Sequence, residues 1–173
     1  MRIAVDNYWN VEETTRRLQP DAVISIMDAA HLAPALFLAP ERHLQLGFHD
    51  IERKEAGKTP PAQDQIAAMI AFADQHRRSG ARHLLIHCMA GVSRSPAAAY
   101  ILAVSVRRED PGRSAVQLFQ AAPFADPNML MIRHADELGG WMEGGNVISR
   151  SGGAGERCSR GTAAPIHDLT RAP

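Results

Sequence analysis

Two periods of apolar residues run through the chain. Residues 22–27 (Ala22-Val23-Ile24-Ser25-Ile26-Met27) form a short, β-branched run after a Pro-Asp turn, the pattern of a strand buried on both faces. Residues 82–87 repeat it around Leu84-Leu85-Ile86, and shorter strands are expected over 2–5 and 44–48. Helical spacing is clearest over 63–78, where Ile66, Met69, Ile70 and Ala73 make one stripe that Ser79-Gly80 ends. Polar helix formers with an apolar residue at each end predict a short helix over 11–18, stopped before Pro20. Pro96 suits the first turn of another helix, with Ala97, Tyr100, Ile101 and Val104 on one face and a stop before Asp110-Pro111-Gly112. Two more helices are expected over 113–121 and 127–141. This order predicts an α/β fold, a central mostly parallel sheet of about four to five strands flanked by helices.

Other stretches lack a period. Pro34 and Pro40 bound a segment without an assignable pattern, and residues 52–61 read as an exposed charged loop closing on Thr59-Pro60-Pro61. From Gly144 the residues turn small and polar, so a single domain over 1–143 with a flexible, disordered tail over 144–173 is expected. Lys+Arg and Asp+Glu both number 19, and that balance argues against a nucleic-acid partner. No apolar run approaches the ~18 residues of a membrane span, and the first residues lack a secretory pattern. Cys88 and Cys158 are the only cysteines, too few for a disulfide framework. These features together suggest a cytoplasmic protein with free thiols and no membrane partner.

Chemistry concentrates in His87-Cys88-Met89-Ala90-Gly91-Val92-Ser93-Arg94-Ser95, between a buried strand and a helix start. In α/β sheets, ligands bind at the carboxyl ends of strands. The five residues between Cys88 and Arg94 allow a loop whose backbone N–H groups converge into an anion nest, reinforced by the helix N-terminus. Such a nest favours the anionic, nucleophilic form of a thiol at its floor. A guanidinium at the rim can grip two phosphate oxygens, and Gly91 supplies a positive φ or a close backbone approach.

The pattern His-Cys-x5-Arg-Ser resembles the signature of the cysteine-dependent protein-tyrosine phosphatases, and the short chain is similar to their compact dual-specificity branch. The resemblance covers about residues 44–138 and implies a phosphatase-like fold and phosphomonoester hydrolysis through a phosphocysteine intermediate. Cys88 would be the nucleophile, residues 89–94 (Met89, Ala90, Gly91, Val92, Ser93 and Arg94) the phosphate loop, and Ser95 the group that helps the thiolate leave. His87 would order the loop rather than move protons. Asp50, just after a strand, matches the general acid, although its loop is several residues longer than in compact members; Asp64 and Glu52 are the alternatives. Asn128, in Pro127-Asn128, either positions the signature loop or caps a helix.

The implied partner is a phosphorylated protein, phosphotyrosine above all, or a small phosphomonoester. Phosphoinositide-selective members carry basic residues in the loop, whereas Met89, Ala90 and Val92 are neutral. No cofactor is implied, and His43, His76, His83, His134 and His167 lack metal-ligand spacing. His49 reads as a local packing residue and Cys158 as inert. Two other functions stay open: a sulfurtransferase or arsenate-reductase-like cysteine enzyme, and a non-hydrolytic phosphate-binding module. The sequence carries no signal for oligomeric state.

Overall fold

A computed structural model describes residues 1–31, 33–139, 147–148 and 167–168. The chain runs β1 (Arg2–Asn7), α1 (Val11–Leu18), β2 (Ala22–Met27), a 3-10 turn (Pro40–Arg42), β3 (His43–Gly47), α2 (Gln63–Arg78), β4 (His83–Cys88), α3 (Arg94–Ser105), α4 (Pro111–Ala121), α5 (Met129–Gly139) and β5 (His167–Asp168). The sheet order is β3-β2-β4-β1-β5. The first four strands in this order are parallel, and β5 pairs antiparallel with β1 through Val5 and Ala4. The expected mostly parallel sheet is therefore present. Apart from 147–148 and 167–168, the tail expected over 144–173 lies outside the described residues, as does Cys158.

Strand alternation divides the core in two. Ile3, Val5, Ala22, Ile24, Ile26, Leu84, Ile86 and Cys88 join the larger cluster with residues of α2, α3, α4 and α5. Ala4, Val23 and Leu85 face the opposite side, under Val11 of α1 and Leu36. The unassigned segment between Pro34 and Pro40 thus has a physical role: Leu36 and Leu38 close the thinner face without a regular element. α3 is buried along its whole length, which explains why Ala98, Ala99, Leu102 and Ala103 carry its apolar surface beyond the one expected face.

Near the carboxyl ends of the strands the thinner face turns polar. Ser25 follows Val23 on β2 and His87 follows Leu85 on β4, with Ser25 and His87 directly opposite in register. The Ser25 Oγ lies 2.6 Å from His87 Nε2 and 2.7 Å from His43 Nε2. One hydroxyl serves the Nε2 of two neutral imidazoles by donating to one ring and accepting from the other, while the buried His87 Nδ1 has no hydrogen-bond partner. Burial, with His43 nearby, depresses the His87 pKa to about 4, and burial also lowers that of His43. The unfolded chain takes up a proton near the ordinary pH 6.5 that the folded ring refuses until about pH 4. Stability is then full above 6.5 and declines as pH falls toward 4, by ~3 kcal/mol from this ring alone. Urea melts from pH 7.5 to 4.5 should register that decline, and His87→Asn should flatten it.

Candidate active site

β4 ends at Cys88, α3 starts at Arg94, and residues 89–93 form the turn between them. Cys88 is 2% exposed. Its Sγ receives the Gly91 N–H at 3.3 Å and lies 3.2 Å from the Ser95 Oγ. That hydroxyl is also 3.4 Å from the Asp6 carbonyl, a second acceptor within reach of its single proton. Sulfur therefore sits at the N-terminal end of a buried helix, with a backbone N–H and a hydroxyl beside it.

The loop is fixed from outside through its carbonyls. Met89 O accepts the Tyr8 N–H at 3.1 Å, Val92 O the Asp126 N–H at 2.9 Å, and Ser93 O the Ala97 N–H at 3.0 Å and the Asn128 N–H at 3.4 Å. In a trans peptide the C=O and the next N–H point in opposite directions. Anchoring those carbonyls outward turns the N–H groups of Ala90, Ser93 and Arg94 inward. The Gly91 N–H, by contrast, is directed at the Cys88 sulfur.

Gly91 is required on two counts. Its φ is +73°, and a Cβ there would come within 3.1 Å of the Asp6 carbonyl oxygen. Gly91→Ala should cost about 1–3 kcal/mol in strain and push the loop off Cys88. A lowered urea midpoint, together with loss of phosphate binding, is the expected outcome.

Arg94 is 4% exposed. Its Nη1 donates to the Asp28 Oδ1 at 2.7 Å and to the Phe48 carbonyl at 2.8 Å. Its buried Nε has no hydrogen-bond partner and lies 3.8 Å from the Asp50 Oδ2. The Asp50 Oδ1 accepts from the Ser93 hydroxyl at 2.8 Å and from the Asn128 amide at 2.9 Å. With Oδ1 doubly bonded, Oδ2 is the oxygen turned toward Arg94. The Asn128 Oδ1 accepts the Met131 N–H at 3.1 Å, in the first turn of α5.

The alternative carboxylates serve elsewhere. Glu52 Oε1 accepts the Met129 N–H at 2.6 Å, and Asp64 Oδ1 accepts the Gln65 N–H at 2.8 Å in the first turn of α2. The extra residues after Asp50 leave and return through a closed neck. There the His49 N–H donates to the Thr59 carbonyl at 2.8 Å, while the Thr59 N–H donates to the His49 Nδ1 at 2.9 Å. The added length is thereby confined beyond Asp50. Sequence reasoning missed Asp28, Ser25 and the pairing of His43, since none belongs to a local motif. The one available signal was the position of Asp28 directly after the buried strand β2.

Among the described residues, no group of His, Cys, Asp or Glu has the arrangement of a metal site, and no helix is long and apolar enough to cross a membrane. No family model matches the chain, and neither does any curated protein sequence. Solved structures do match. The PTP-2 phosphatase of Cydia pomonella superposes with a TM-score of 0.64 at 19% identity, over 78% of this chain and 84% of its own. Human DUSP28 gives 0.62 at 16%, over 82% and 93%, and DUSP15 gives 0.62 at 19%, over 90% and 94%. A 90% share exceeds what residues 44–173 supply, so the likeness extends into residues 1–43. The chain has the fold of the compact protein-tyrosine and dual-specificity phosphatases.

Proposed function

We propose that this chain is a phosphomonoester hydrolase acting through a phosphocysteine intermediate on Cys88. One observation carries the reading: Arg94, with Nε unpartnered, and Asp50 meet over the loop that surrounds the Cys88 sulfur. A phosphoryl group resting on the N–H groups of Ala90, Ser93 and Arg94 would lie above the thiolate. Sulfur attacks phosphorus, the P–O bond to the leaving group breaks, and protonated Asp50 delivers its proton from Oδ2 to the departing oxygen. In the second step Asp50 takes a proton from water as the water oxygen attacks phosphorus. The S–P bond breaks, inorganic phosphate leaves, and the Ser95 hydroxyl donates to the returning thiolate.

Sulfur transfer would need no proton donor at the rim, so the hydrogen bonds that hold Asp50 there favour hydrolysis. Neutral Met89, Ala90 and Val92 favour phosphotyrosine on a protein, or a small phosphomonoester, over a polyanionic headgroup. The direct test is phosphate release by the wild-type chain from an aryl phosphate and from phosphotyrosine, phosphoserine and phosphothreonine peptides. The expected order places the aryl phosphate and phosphotyrosine first. Absence of release from every substrate would leave phosphate binding as the surviving function.

A further inference from the structure

We infer that Asp28 is a positioning residue that sets the orientation of the Arg94 clamp, an assignment that rests on the phosphate-binding reading of Arg94. A guanidinium offers a fork made by Nε and Nη2, and Nη1 lies outside that fork. The contacts of Arg94 divide along the same line. Nη1 takes two acceptors, the Asp28 carboxylate at 2.7 Å and the Phe48 carbonyl at 2.8 Å. Nε is buried and left without a hydrogen-bond partner. Holding Nη1 from below leaves the fork to face the nest, where a phosphate can take it in the bidentate manner.

The two acceptors behave as one support. Asp28 follows the last residue of β2, and Phe48 follows the last residue of β3. The Phe48 N–H donates to the Met27 carbonyl at 2.9 Å, which locks the two strand ends together. A Cβ added at Gly47 would lie in ordinary van der Waals contact with Ala29, 3.4 Å from its Cα, so the end of β3 runs beside the residues after β2. The second oxygen of Asp28 faces the His31 ring, 3.8 Å away. Asp28 and the Phe48 carbonyl thus reach Arg94 together from the joined ends of β2 and β3. Asp50 stands differently: its Oδ2 is 3.8 Å from Nε, on the side an incoming phosphate would occupy.

This assignment fixes a sign. Deleting a carboxylate near an anion site strengthens anion binding if the carboxylate only competes for the arginine. Deleting one that orients the arginine weakens binding. Isothermal titration of wild type, Asp28→Ala and Asp28→Asn with inorganic phosphate separates the two. Asp28→Ala should bind phosphate at least ~10-fold more weakly, the scale of one hydrogen bond to a charged group. Asp28→Asn keeps an acceptor for Nη1 and should fall between wild type and Asp28→Ala. Unchanged or tighter binding in Asp28→Ala, with thermal melting showing a folded chain, overturns the inference. Turnover of an aryl phosphate, measured in parallel, reports separately on the enzymatic reading. A chain whose phosphate affinity depends on Asp28 but which never turns over keeps this inference and loses that one.

Discussion

Cys88→Ser is expected to abolish turnover while leaving phosphate binding in place. On the proposed reading phosphate rests on the N–H groups of Ala90, Ser93 and Arg94 and on the Arg94 guanidinium, none of which the substitution removes. A serine hydroxyl at that floor lacks the acidity of a thiol and stays protonated, so it does not attack phosphorus. The fall in kcat should reach on the order of 10⁴ or more, the scale seen when a nucleophile is removed. Steady-state assays with an aryl phosphate, paired with titration by inorganic phosphate, check both halves. Sulfur is 2% exposed and packed among the core residues of the sheet. Oxygen is the smaller atom there, so the variant should fold and the loss should read as chemistry.

The second large effect is expected at Asp50. Asp50→Asn keeps an oxygen at Oδ1 to accept from the Ser93 hydroxyl and the Asn128 amide, so the loop should retain its position. It removes the ionisable oxygen facing Arg94 and with it the proton for the leaving group. General-acid loss is worth about 10²–10⁴ in rate, and the size should depend on the leaving group. A nitrophenolate departs readily without a proton, whereas the oxygen of a phosphoserine does not. The ratio of wild-type to Asn-variant kcat should therefore widen steadily from nitrophenyl phosphate through phenyl phosphate to an alkyl phosphate. A constant ratio across the series would assign Asp50 to binding, and Glu52 or Asp64 would then need the same test.

Much of the fold was legible because its signals are local. The run at 22–27 and the helix over 63–78 match β2 and α2 residue for residue, since burial on both faces and a bounded apolar stripe are read from neighbours in sequence. The loop between β4 and α3 was legible for the same reason: Cys88, Gly91, Arg94 and Ser95 lie within eight consecutive positions. Contacts made across strands escaped. Asp28 meets Arg94, and Ser25 meets both His43 and His87, only because the strand order interleaves distant segments. His43 looked like one of several scattered histidines, and its hydrogen bond to Ser25 depends on a neighbouring strand that the sequence does not specify. Asp50 stood between these cases. Its position after a strand was visible, but the neck formed by His49 and Thr59, which absorbs the longer loop, was not.

The central claim is that a phosphoryl group passes through the Cys88 sulfur. Rapid acid quenching of wild-type chain mixed with excess aryl phosphate, followed by peptide mass spectrometry, tests it most directly. The expected result is one phosphoryl group on the peptide containing Cys88, lost on longer incubation as free phosphate accumulates and absent from Cys88→Ser. Phosphate release without any phosphorylated Cys88 peptide, or undiminished release by Cys88→Ser, would contradict it.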